Sequence, residues 1–188
     1  MLTLDFSAET IHASAFLSRV SERHVPFAAS RALNSTAFSA RDAVRQDMPH
    51  RFIIRRPWIL RGIGVETSTK SELSASVFSR DKFMAEQEYG GIRNGTQSIP
   101  VGRMAQIYSS RVIPKAQRPA ALMQKKNIFY LAGSLFERRS SGIQSLYIFR
   151  KRVKIAPRFG MSETVRSVAL RMFEAQFIQY LQDTLVKE

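Results

Sequence analysis

Val165, Val168, Ala169, Met172, Phe173, Phe177, Tyr180, Leu181 and Leu185 recur at the roughly 3.6-residue period of an α-helix, so this 188-residue chain has to end in one long amphipathic helix with a face to bury. Ser162 is the expected cap, with Glu163 in the first turn where the helix dipole favours an acid. Two helices are expected ahead of the middle. One runs from Ser7 to about Arg23 with Ile11, Ala15 and Val20 among its apolar positions. The other opens at Pro26 and stops before Pro49. The second is rich in small residues, Ala28, Ala29, Ala32, Ala37, Ala40 and Ala43, which favour helix and let a neighbour approach closely.

Between the helices the pattern turns to strands. Phe52–Ile54 and Trp58–Val65 are β-branched and aromatic, separated by Arg55-Arg56-Pro57. Leu73, Ala75 and Val77 alternate with Glu72, Ser74 and Ser76 at the two-residue period of a half-buried strand. Asp81–Glu88 reads as a turn or two of helix, Asn94-Gly95 as a turn and Ile99-Pro100-Val101 as a short extended piece. Ile128–Ala132 and Leu146–Ile155 read as strands, with Ser140-Ser141-Gly142 a turn. The expected fold is α+β, an antiparallel sheet flanked by the N-terminal helices and the C-terminal amphipathic helix. It forms a single domain over residues 1–188. Residues 1–7, where Leu2, Leu4 and Phe6 alternate with polar neighbours, and 103–126, broken by Pro114 and Pro119, are expected as extended arms or loops.

Charge is distributed unevenly along this pattern. Thirteen Lys and Arg lie between Arg103 and Arg158 against one acid, Glu137, so this stretch supplies +12 of the chain's formal +14. A one-signed block creates a field that attracts polyanions, whereas an ordinary surface interleaves both signs. On a strand, Arg150, Arg152 and Lys154 share one face, while Phe149, Lys151, Val153 and Ile155 share the other. With Arg138, Arg139 and Arg158 these form the candidate contact set for a polyanion or a neighbouring subunit. Such a stripe faces nucleic acid or an acidic protein surface, or it is a solvated outer face. No RNP motif, zinc finger or recognition helix accompanies it, which argues against sequence-specific readout.

Nothing in the sequence points to catalysis or to a cofactor. There is no cysteine, and His12, His24 and His50 are dispersed, so three or four converging metal ligands are not expected. No nucleophile elbow, Walker A loop or HExxH pattern occurs. Gly62-Ile63-Gly64 lacks the third glycine and following helix of a dinucleotide fingerprint. Glu86 and Glu88 point to different sides of a helix, a poor geometry for shared acid–base work. The start, Met1-Leu2-Thr3-Leu4-Asp5-Phe6, has no basic region ahead of an apolar run, so no signal peptide is expected. No window approaches about eighteen uninterrupted apolar residues, and a membrane partner is not expected.

The order of segments carries a family resemblance from about residue 23 to the end. Pro26-Phe27-Ala28-Ala29-Ser30-Arg31-Ala32-Leu33-Asn34 leads a small-rich helix through Ala43, followed by Arg56-Pro57-Trp58-Ile59-Leu60-Arg61-Gly62-Ile63. Glu88-Tyr89-Gly90-Gly91 and Ile99-Pro100-Val101 come next. Leu146-Tyr147-Ile148-Phe149 then passes through Pro157-Arg158-Phe159 into the terminal helix. In this order the chain resembles the minor tail protein Z-like, tail-completion family of tailed bacteriophages. The resemblance implies a virion structural protein, assembled in the host cytoplasm and sited at the head–tail junction (neck) or upper tail. It would be one copy in a homo-oligomeric ring, with no cofactor and no catalytic site. Its partners would be other connector, portal or tail-tube proteins, with non-specific contact to genomic DNA. The alternative from the residues alone is a non-specific nucleic-acid-binding protein, an RNA or DNA packaging or ribosome-associated module.

Overall fold

The computed structural model describes Ser18 and residues 20–186. The arm expected at residues 1–7, and most of the helix expected from Ser7, lie outside them. A π-helical turn, Val20–His24, passes into α1, Val25–Arg51. The break expected at Pro26 is absorbed. A proline inside a helix removes an N–H and crowds the carbonyl four residues back, and a widened π turn just ahead of it makes room. The helix also runs past Pro49, where it was expected to stop. Pro49 stands so near the end that little of the ladder is lost, and the Phe52 N–H donates to the Met48 carbonyl at 2.9 Å to close the last turn.

The remaining elements are α2 (Trp58–Arg61), β1 (Ile63–Glu66), β2 (Ser76–Ser79), α3 (Phe83–Tyr89), β3 (Gly91–Pro100) and α4 (Gly102–Ile107). A 3₁₀ turn (Lys115–Gln117) follows, then α5 (Pro119–Leu122), β4 (Ile128–Leu131), β5 (Ser134–Arg139), β6 (Gly142–Ile155) and α6 (Met161–Leu185). Long helices at both ends of the described chain and antiparallel sheets between them make this an α+β protein. The stretch read as one domain contains two compact units. One gathers the chain up to Asp47, Arg61–Arg80 and the chain from Gly160. The other is Met48–Leu60 with Asp81–Phe159.

In the first unit, Ala28, Ala32, Thr36, Ala40 and Val44 are buried at four-residue steps along α1, a ridge of mostly small side chains that lets backbone come close. The Ser30 hydroxyl and the Asn34 side-chain amide both donate to the Ser68 carbonyl, at 3.1 and 3.0 Å. The Ser68 N–H donates back to Asn34 Oδ1 at 2.7 Å, so the Asn34 amide serves Ser68 as a neighbouring strand would. Arg45 Nη2 donates to the Ile63 carbonyl at 2.7 Å. These bonds anchor the two-stranded sheet, in which β1 pairs antiparallel with β2 from Ile63↔Ser79 to Glu66↔Ser76. The α6 stripe lies as its period requires, with Val168 buried, its other members half-buried and Leu170 exposed on the far side. Ser162 does not cap this helix. Gly160, at φ 63°, holds the N-cap position, and its carbonyl accepts from the Thr164 N–H and hydroxyl.

The second unit is a four-stranded antiparallel sheet in the order β3-β6-β5-β4. Its core is Met104, Leu122, Ile128, Leu135, Leu146 and Tyr147. Met104 lies on α4 and Leu122 on α5, so residues 103–126 are not a free arm. Apolar side chains spaced too irregularly to show a period nevertheless pin three short helical turns to the sheet. The strand expected from Trp58 begins only at Ile63, after a helical turn. Asn94-Gly95, read as a turn, is an irregularity within one continuous β3. β4 and β5 are joined through Ala132 and Gly133, both at positive φ (47° and 76°), the two-residue turn that suits the twist of a hairpin.

Two stability predictions follow from this unit. Ala132 occupies a left-handed conformation that disfavours any Cβ, so Ala132→Gly is expected to stabilise the protein by about 1 kcal/mol in urea denaturation. The Tyr147 hydroxyl donates to the Gln117 carbonyl at 2.8 Å, and burial raises its pKa above the ordinary value of 10.0. A raised phenol pKa means the folded state prefers the neutral form, so this contribution is complete below pH 10.0 and is lost as pH rises through the folded-state value. Tyr147→Phe is expected to cost about 1 kcal/mol at neutral pH. Compared between about pH 8 and about pH 11, the variant should lose less stability than the parent protein.

Candidate functional site

The candidate contact residues lie mostly on β6 and β5, and strand register decides which of them can act together. β5 pairs with β6 from Ser134↔Ile148 to Arg139↔Gly142, with a bulge where Leu135↔Tyr147 is followed by Phe136↔Ser145. The extra residue is Leu146. Two consecutive side chains, Leu146 and Tyr147, therefore turn to the same side, and both are buried in the core. Beyond the bulge, alternation resumes with Tyr147, Phe149, Lys151, Val153 and Ile155 on the inner face. Arg150, Arg152 and Lys154 stand on the outer face, and all three are exposed.

On that outer face the partners across the β3 ladder are Ile99 for Ile148, Gln97 for Arg150, Asn94 for Arg152 and Ile92 for Lys154. On the β5 side, Arg138 pairs with Ile143, and Phe136 pairs with Phe129 of β4. The Phe129 and Phe136 rings stack with centroids 5.6 Å apart, and the Arg138 guanidinium lies 5.0 Å from the Phe129 centroid. Along β6 the face thus carries a basic run, Arg150, Arg152 and Lys154, with exposed apolar side chains on both sides of it. Ile143 is 68% exposed, Leu131 60% and Ile92 54%. Among the described residues, none of Arg138, Arg150, Arg152 or Lys154 makes an ion pair. Neighbouring charges two residues apart, about 7 Å, repel by roughly 0.6 kcal/mol in water, a cost that an approaching acid would relieve.

The rest of the sequence-derived set is dispersed. Lys151 is exposed but points to the inner side, opposite the β3 residues Gly95 and Thr96, where the ladder shifts register. Arg139 also belongs to the inner side and donates through Nε to Glu137 Oε2 at 2.6 Å. Asn127 donates to the other Glu137 oxygen at 3.2 Å, so the only acid of the basic stretch serves the hairpin itself. Arg158 lies beyond the sheet. Its Nε donates to Gln87 Oε1 at 2.9 Å, and its guanidinium sits 4.7 Å over the Phe52 ring. Four of the seven residues therefore share one surface.

Sequence reading missed much of the apolar part of this surface because β5, most of β3 and the start of β6 at Gly142–Ser145 were not recognised. Ser134-Leu135-Phe136-Glu137-Arg138-Arg139 shows no clean alternation, and its turn lacks an Asn-Gly or Asp-Gly signal. The usable clue was the Ala132-Gly133 pair, placed symmetrically between Phe129-Tyr130 and Leu135-Phe136.

The exposure of this face yields a contrast measurable by urea denaturation. Ile143→Asp is expected to change stability by less than about 0.5 kcal/mol, whereas Leu135→Ala, in the core, should cost about 2–5 kcal/mol. Unfolding of the Ile143 variant would mean that the outer face is already covered. No protein-family model, no curated protein and no solved structure matches this chain.

Proposed function

We propose that this protein is a structural virion protein of a tailed bacteriophage, a ring-forming component of the head–tail junction or upper tail that completes or connects the tail. The order of sequence segments supports the family. The observation that carries the mode of action is the outer face of the second unit's sheet, where Arg138, Arg150, Arg152 and Lys154 stand beside exposed Ile92, Leu131 and Ile143. Exposed apolar side chains interspersed with cations that make no ion pair suit a protein partner that brings apolar side chains and acids. Ring contacts are heterologous, one patch of each subunit meeting a different patch on the next, and a face of this kind supplies one half of such a contact.

A second reading, non-specific nucleic-acid binding, draws on the same face: stacked Phe129 and Phe136 under Arg138 resemble a base-stacking platform beside phosphate-binding cations. Salt separates the two. A free nucleic-acid binder holds duplex DNA as isolated protein, with affinity falling steeply as salt rises. The assembly protein binds DNA weakly on its own and meets its partners in the particle. Tight DNA binding at physiological salt by a protein never found in virions would overturn the first reading.

The mutational test is Arg150→Glu, Arg152→Glu and Lys154→Glu combined. The variant should stay folded, with each exposed change within about 0.5 kcal/mol, yet block particle completion or genome delivery in the virus that carries it. Normal infectivity with this variant would sink the role assigned to the face.

A further inference from the structure

An open groove of about 570 Å³ lies within the second unit, in the roughly 300–1,000 Å³ range of ligand sites. Its walls are the Phe52–Ile59 segment, α3 and the Val112–Pro119 stretch, and Tyr147 and Ser98 of the sheet also line it. Large apolar side chains are left exposed around it, Ile53 at 67% and Trp58 at 48%, with Phe83 set edge-on to Trp58 at 6.3 Å. Such side chains gain most from an occupant that removes them from water.

The polar lining is of one sign. Five arginines reach the groove, and no Asp or Glu lines it. Three of the five are held within the unit. Arg55 donates to the Ser109 carbonyl, Arg93 is paired with Glu86, and Arg158 is bonded to Gln87. Arg56 and Arg118 make no side-chain hydrogen bond or ion pair with any described residue. An occupant that brings apolar side chains together with two acids matches this lining. A phosphate cradle would bring glycine-rich backbone N–H groups together, yet no glycine lines the groove. Guanidinium groups on separate segments of an apolar wall suit separate carboxylates along a peptide.

This chain contains such a peptide. From Met1 to Ser18 there are two acids, Asp5 and Glu9, and no Lys or Arg, in a protein of formal charge +14. Leu2, Leu4 and Phe6 alternate through the same stretch. We infer that the groove receives the leading segment of a second copy of this chain. Leu4 and Phe6 supply the apolar side chains, and Asp5 and Glu9 supply the charges for Arg56 and Arg118. This rests on the ring-assembly reading and deepens it. A segment donated by each copy to the next is a directional contact, the kind that closes a ring.

Trp58 is the only tryptophan and lines the groove, so its emission reports occupancy. The receiver is full-length protein carrying Asp5→Lys and Glu9→Lys, which disables its own segment. The probe is a synthetic peptide of residues 1–12. Saturable binding with a shift of Trp58 emission to shorter wavelength is expected. Affinity should fall roughly tenfold or more for a receiver that carries Arg56→Glu and Arg118→Glu with Asp5 and Glu9 unaltered, whose own segment is then repelled, and recover when the peptide itself carries Asp5→Lys and Glu9→Lys. In the unaltered protein, Trp58 emission should move the same way as concentration rises. An unchanged spectrum at millimolar peptide, or a nucleoside triphosphate that saturates the groove where the peptide does not, overturns the inference. So does an unaltered protein whose groove reads as filled at every dilution, since its own segment would then be the occupant. These outcomes leave the outer-face reading standing, because that is judged by particle completion with Arg150, Arg152 and Lys154 reversed.

Discussion

The second unit depends on one irregularity in β6. Leu146 and Tyr147 are adjacent in sequence, yet both are buried, which regular alternation forbids and a bulge permits. Two large side chains thereby enter the core from a single step of strand, and Tyr147 adds a hydrogen bond to the 3₁₀ turn beneath it. The bulge also sets the phase of everything that follows. One residue more or less before Arg150 would turn Arg150, Arg152 and Lys154 inward and bring Lys151, Val153 and Ile155 out. Core packing and surface chemistry are thus coupled through the register of one strand.

The sheet divides its work between its faces. The inner face is covered over part of its length by α4, the 3₁₀ turn and α5, and the Arg-lined groove opens on the same side, reached by Tyr147 and Ser98. The outer face carries apolar side chains that an isolated sheet has no reason to display, next to cations with no acid beside them. The first unit solves a different problem. A short two-stranded sheet has little stability of its own, and here side chains of α1 hold its backbone: Asn34 and Ser30 on Ser68, Arg45 on Ile63. Small residues along the α1 ridge bring the helix near enough for those bonds to form.

What could be read in the sequence was what repeats. The α6 stripe and the alternation of β6 beyond its bulge persist over enough residues for period to speak, and the outward set Arg150, Arg152 and Lys154 came directly from the latter. Structure decided by distant contacts was not legible. Phe52-Phe159 edge-on packing and Trp58 against Phe83 draw the 52–61 segment into irregular backbone and a helical turn, although its composition favours strand. Met104 and Leu122 anchor a segment whose prolines suggested an arm. Pro26 and Pro49 failed as helix boundaries for a local reason: a π turn accommodates the first, and the second stands at the final turn. Of the basic set, Arg138, Arg150, Arg152 and Lys154 share one face, whereas Arg139 and Arg158 are committed to Glu137 and Gln87, partners that only the folded chain reveals.

β4, at one border of the four-stranded sheet, is only four residues long. β3, at the other, is interrupted opposite Lys151, where Gly95 takes φ +94° and the ladder skips two residues, and it ends on Pro100. Neither border presents a long, flat row of free N–H and C=O groups, so a further strand finds no template there. Edge-to-edge pairing between copies of this chain is thereby disfavoured along this sheet. A contact at either border has to be made by side chains, which discriminate between neighbours where bare backbone would accept any.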